Sequence, residues 1–185
     1  MQTKGFLSAS VVSVLLLLGQ VVSAKAVDGV AFAAGHGVCA TKVLRLGVQW
    51  QWQRLWFQQD AWQLGGYWEP SIYYLSGKAA VTHKSNKTIS ALAFAPVFRL
   101  SLNNTVKYQP YLEFAVGVAQ MNKREMGGRK LGIHFQFEDR LGFGLKFGPG
   151  KRFDLAYKVV HFSNAFIGPQ NHGLNMHFIE LGYWL

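Results

Sequence analysis

Phe153-Asp154-Leu155-Ala156-Tyr157-Lys158-Val159-Val160-His161-Phe162-Ser163 decides the fold. One parity reads Phe153, Leu155, Tyr157, Val159; the other reads Asp154, Ala156, Lys158. Successive strand side chains point to opposite faces, so a period of two marks a β-strand. The apolar parity then ends on His161 and Ser163. A bare imidazole and hydroxyl among side chains that expect hydrocarbon need a reason, and the most economical one is catalysis on a lipid.

The same period recurs outward from this stretch. Leu44, Leu46, Val48, Trp50 and Trp52 alternate with Arg45, Gly47, Gln49 and Gln51. Segments from Trp68 to Tyr74, Leu92 to Leu100, Leu112 to Val118, Phe135 to Phe147 and Asn175 to Leu185 read likewise, and Val27 to Gly37 does so more weakly. Together they make eight strands, while helical periodicity is scarce. Gly148-Pro149-Gly150 is a hairpin signal expected to pair Phe147 with Lys151. Polar runs at Gly77 to Thr88 and Asn122 to Lys130 read as longer loops. Several strands reach the roughly ten residues that a tilted strand needs to cross a bilayer.

Alternation alone leaves the faces open, since a soluble lipocalin-like barrel also has eight strands. Two features favour the membrane. The less bulky parity is rich in Ala and Gly (Ala91, Ala93, Ala95, Ala115, Gly117, Ala119), as suits a narrow filled lumen rather than a solvated exterior. The other parity is bulky and aromatic, as a lipid-facing band is. The expected fold is an all-β, eight-stranded antiparallel up-and-down transmembrane β-barrel over residues 25–185. Residues 1–24 read as a secretory signal peptide: Lys4 opens it, Val11 to Leu18 is almost wholly apolar, and Val22-Ser23-Ala24 ends it in small residues. The C-terminal set Ile179, Leu181, Tyr183, Leu185 suits an outer-membrane barrel, although such chains usually finish on an aromatic residue and here Trp184 comes one place early.

The chain carries 19 Lys+Arg against 9 Asp+Glu, a net +10, of which only Lys4 lies in the leader. An exported basic protein meets anionic lipid headgroups rather than nucleic acid. The single Cys39 excludes an internal disulfide framework. The six histidines are scattered, with no CxxC or HExxH, so no metal site and no cofactor are expected.

His161 and Ser163 lie two apart on one strand face, roughly 6.5–7 Å between Cα atoms. That is a nucleophile–base arrangement: the imidazole takes the hydroxyl proton as Oγ attacks an acyl carbon. Asn164 follows at the strand end, where its backbone N–H or side-chain amide can meet an oxyanion. Two residues share the outward parity as candidates for the third member. Asn175 lies on the returning strand. Asp139 lies on the preceding one, where the expected hairpin faces it to Val159 and makes it a diagonal neighbour of His161. Glu180 sits on the opposite parity and is expected to pair with lumenal Arg or Lys.

His161-Phe162-Ser163-Asn164-Ala165, followed by Pro169, Asn171 and Gly173 and a final strand, resembles the PagL family of lipid A 3-O-deacylases. Phe135-Gln136-Phe137-Glu138-Asp139-Arg140-Leu141-Gly142-Phe143-Gly144 is similar to that family's sixth strand. The resemblance implies an outer-membrane barrel whose Ser-His-acid triad faces the outer leaflet and hydrolyses the 3-linked hydroxyacyl ester of lipid A in lipopolysaccharide, without a metal. Carried over, Ser163 is the nucleophile, His161 the base and Asn164 an oxyanion donor. The chain departs from the family where characterised members carry Glu and this sequence has Asn175. An Asn carbonyl still accepts the imidazole N–H but offers no full negative charge. Two other readings stand beside this one: a weak or inert barrel with a structural or adhesion role, and a soluble periplasmic lipid carrier with the faces reversed. The sequence is compatible with a homodimer.

Overall fold

The computed structural model describes residues 26–59, 61–77, 88–102 and 107–185. The expected leader, and most of the loop after Gly77, lie outside the described residues. Eight strands follow one another: β1 (Gly29–Gly37), β2 (Thr41–Gln51), β3 (Trp62–Ser76), β4 (Thr88–Leu102), β5 (Gln109–Met121), β6 (Phe135–Phe147), β7 (Phe153–Ser163) and β8 (Leu174–Trp184). Each pairs antiparallel with the next, and β8 pairs with β1, closing the sheet. Closure leaves no edge strand, which a bilayer demands because it offers no water to unpaired backbone groups. A short strand, Phe57–Gln59, pairs with the start of β3, and Glu125–Met126 forms a small hairpin with Arg129–Lys130 between β5 and β6.

The bulky parity faces out. Leu92 and Leu141 keep 64% and 65% of their surface exposed, and Leu46, Val116, Phe143 and Leu181 behave likewise. The small parity, including Ala33, Ala91, Ala95, Ala115 and Ala119, is buried. A water-soluble carrier needs the reverse arrangement, so that reading is set aside. Inside, the middle of the lumen is filled by paired charges. Arg45 bridges Glu69 and Glu180, Arg140 reaches Glu69 at 2.6 Å, and Lys158 reaches Glu113 at 2.5 Å and Glu180 at 2.6 Å. Arg99 lies 2.8 Å from both Asp154 and Glu113. Glu180 thus makes the lumenal pairs expected of its parity.

The two ends differ. One carries the start of β1, the end of β8 and the connection between β6 and β7, and Trp184 packs edge-on against Tyr67 there with ring centroids 5.5 Å apart. The other carries the connections after β1, β3, β5 and β7. Its lumen is plugged by apolar side chains, among them Val43, Leu75, Met121, Leu131, Val160, Phe162 and Met176. In outer-membrane barrels the longer loops face the exterior, which places the loop end of β7 at the outer leaflet.

The β6–β7 turn is longer than the Gly-Pro-Gly signal suggests. Gly148 takes φ 77°, and a single 3₁₀ turn over Pro149–Lys151 follows. The Lys151 N–H returns to the Gly148 carbonyl at 3.0 Å, so the turn consumes Lys151 and Arg152 before the ladder begins. Phe147 therefore pairs with Phe153, not with Lys151. Every partner moves by two residues and parity is kept. Asp139 lies directly opposite His161, correcting the diagonal placement expected from the sequence.

Candidate active site

Val160 and Phe162 point inward into the apolar plug, where Phe162 meets Tyr73 edge-on at 5.2 Å between ring centroids. Strand alternation then turns His161 and Ser163 outward, and both are half-buried. His161 is flanked across the ladders by Asp139 on β6 and Asn175 on β8. The imidazole uses Asn175: the Nδ1–H donates to the Asn175 side-chain oxygen at 2.5 Å. This contact leaves Nε2 as the basic nitrogen. Asp139 is exposed on the same face and makes no hydrogen bond to the imidazole. No hydrogen bond joins Ser163 Oγ to His161.

Asn164 sits differently from the sequence expectation. It shares the parity of Val160 and Phe162, is fully buried, and points inward. Its side-chain N–H groups donate to the carbonyls of Leu131 and Gln170, both at 2.7 Å, and its backbone N–H donates to Asn171 Oδ1 at 2.9 Å. With these donors committed, Asn164 ties the β7–β8 loop to the β5–β6 loop, in place of the oxyanion contact read from its position in the chain. The loop then turns sharply. Ala165 and Phe166 both take positive φ, 49° and 61°, and the Ile167 N–H closes back on the Asn164 carbonyl at 3.0 Å. Two left-handed non-glycine residues in succession cost on the order of 1–2 kcal/mol each, strain that begins two residues beyond the candidate nucleophile.

A second set of contacts fixes the return of the loop. Arg129, from the small hairpin, donates through Nε to the Gly173 carbonyl at 2.8 Å and through Nη2 to the His172 carbonyl. The His172 N–H donates to the Lys130 carbonyl at 3.1 Å. The Arg129 guanidinium thus serves the loop backbone. Gly173 takes φ 61°, and a Cβ built on it falls 2.8 Å from His161 Cε1. The imidazole therefore lies against a bare α-carbon. Gly173→Ala is expected to displace the ring and lower turnover on the order of 10²-fold, since misplacing a reacting group by about 1 Å costs that much. Turnover within twofold of wild type would show that the ring is not held there.

The chain matches the family model "Lipid A 3-O-deacylase (PagL)" over residues 42–184, which includes every residue of the constellation described above. The chain belongs to the PagL family. Lipid A deacylase PagL of Pseudomonas aeruginosa is 34% identical over 155 residues, 83% of this chain and 84% of the relative. Lipid A deacylase PagL of Bordetella bronchiseptica is 34% identical over 73 residues, 40% of this chain and 39% of the relative. A solved structure described as the outer membrane enzyme PagL superimposes with a TM-score of 0.74 at 29% identity, covering 85% of this chain and 99% of that one. The PagL fold and the outward-facing apolar band place the chain in the outer membrane as a β-barrel.

Proposed function

We propose that this chain removes the 3-linked hydroxyacyl group of lipid A, with Ser163 as nucleophile, His161 as base and Asn175 as the residue that orients His161. The observation that carries the reading is the His161–Asn175 hydrogen bond on the outer face, in a chain of the PagL family. An imidazole held in one tautomer on a lipid-facing surface has little structural use and a clear chemical one.

The chemistry balances with water as second substrate. His161 Nε2 accepts the Ser163 Oγ proton as Oγ bonds to the ester carbonyl carbon. The tetrahedral adduct collapses by breaking the bond to the sugar oxygen, and the imidazolium returns its proton to that leaving oxygen. A water then attacks the acyl-enzyme with the same imidazole as base, freeing the fatty acid and restoring Ser163. The step requires the Ser163 hydroxyl to reach His161 Nε2 from two residues along the same strand face. The strand end that bears both residues borders the headgroup layer, where water reaches the acyl-enzyme.

Mass spectrometry of lipid A from cells making the protein is expected to show loss of one 3-linked hydroxyacyl chain relative to cells without it. Identical spectra would remove the deacylase reading.

A further inference from the structure

Charged and imidazole side chains on the outer face of the eight strands are few, and they gather in one place. Among the described strand residues, Asp139 is the one outward carboxylate and Lys42 the one outward cation; the outward imidazoles are His36, His161 and His177. All five lie toward the loop end of neighbouring strands β6, β7, β8, β1 and β2. Such groups are costly against lipid and mark function by default. The proposed reaction uses His161, with Asp139 beside it. It leaves Lys42, His36 and His177 unexplained.

These three form a row. His177 pairs with His36 across β8 and β1, and His36 pairs with Lys42 across β1 and β2. The two imidazole rings are 6.2 Å apart between centroids and tilted by 39°. Tyr157 of β7 stacks on His177 from the other side, and its hydroxyl lies 2.9 Å from His177 Nδ1. With the phenol donating to Nδ1, in the tautomer that puts the ring's own proton on Nε2, His177 offers an N–H to a ligand. The row therefore offers imidazole N–H groups and an ammonium, and no carboxylate of the strands stands within it. His177 lies diagonally across the β7–β8 ladder from His161, roughly 7–8 Å between backbones.

We infer that Lys42, His36 and His177, with Tyr157 orienting His177, form a subsite for a phosphomonoester of the glycolipid substrate, one sugar's width from the scissile ester. The inference rests on the deacylase reading for the substrate's identity. A tetrahedral oxyanion can bridge the two rings, one oxygen to each, while the ammonium neutralises it. Charge-assisted hydrogen bonds of this kind are the strong ones, and partial exclusion of water strengthens them further. The site would anchor the phosphorylated sugar at the headgroup layer and so fix which ester reaches Ser163.

The test is a pair of titrations of the detergent-solubilised full chain carrying Ser163→Ala, with bisphosphorylated lipid A and with the same lipid stripped of its phosphates. The phosphorylated lipid is expected to bind about tenfold more tightly. Adding Lys42→Ala or His177→Gln should bring that ratio toward one, and Lys42→Arg should keep it. Equal affinity for the two lipids, or a ratio that neither Lys42→Ala nor His177→Gln moves, would overturn the subsite. Phosphatidate separates the sources of phosphate. If it displaces bisphosphorylated lipid A mole for mole, the row is a general contact for anionic lipid and its assignment to the substrate falls. Deacylation of both lipids by the wild-type chain is measured alongside; its absence defeats the deacylase reading, while the binding ratio still decides the subsite.

Discussion

Ser163→Ala is expected to lower the rate of lipid A deacylation by about 10⁴–10⁶-fold, because removing a nucleophile disables the whole catalytic unit at once. His161→Ala should cost a comparable amount, and the double substitution little more than either alone. That non-additivity separates a nucleophile–base pair from two residues that merely bind substrate, whose losses would multiply. Both side chains face outward and neither carries the core, since Val160 and Phe162 hold the strand from inside. The variants should therefore keep the heat-modifiable gel migration of a folded barrel. Lipid A turnover by folded Ser163→Ala within tenfold of wild type would exclude Ser163 as nucleophile. Asn175 sets a second level. Its carbonyl selects the imidazole tautomer but supplies no negative charge, so Asn175→Glu, which adds that charge, is a gain rather than a loss experiment.

Strand periodicity exposed the barrel, its strand count and the faces of the site because burial in a membrane barrel follows a period of two. The same rule read correctly at Asn164 would have turned its side chain inward: it shares the parity of Val160 and Phe162. Chemistry at the strand end suggested an oxyanion donor, and parity, the stronger constraint, won. The register at Asp139 was not legible, because a turn's residue count depends on the 3₁₀ closure after Gly148 and not on the Gly-Pro-Gly composition alone. The clamp through Arg129 was equally hidden. It links residues 44 positions apart in the chain, and no local pattern announces that a small hairpin folds back on a distant loop. The left-handed pair Ala165 and Phe166 lacks the Asn-Gly signature such turns usually carry, so tertiary contacts through Asn164 and Asn171 impose it.

The outer face performs chemistry only if the barrel holds its strands in register, and the lumen does that work with charges. Glu69 is the centre of the network. It is fully buried and accepts hydrogen bonds from Arg45, from Arg140 at 2.6 Å and from Gln49 at 2.9 Å. Gly47 leaves it room, since a Cβ there would stand 3.1 Å from the Glu69 carboxyl carbon. Glu69→Leu removes the anion that two guanidiniums share: of their carboxylate partners, Arg45 is left with Glu180 at 2.9 Å and Arg140 with Glu138 at 3.4 Å. Breaking a buried pair from one side costs about 3–5 kcal/mol, because the remaining charge stays desolvated. The expected result is a fall of that size in unfolding free energy, measured by urea titration of the barrel in vesicles. Deacylation should drop only with the folded fraction, since Glu69 touches no residue of the outer face. Glu69→Gln, which keeps an acceptor for one guanidinium, should lose less. A Glu69→Leu barrel within about 0.5 kcal/mol of wild type, the range of an inconsequential surface change, would mean that the lumenal charges do not set the barrel's stability.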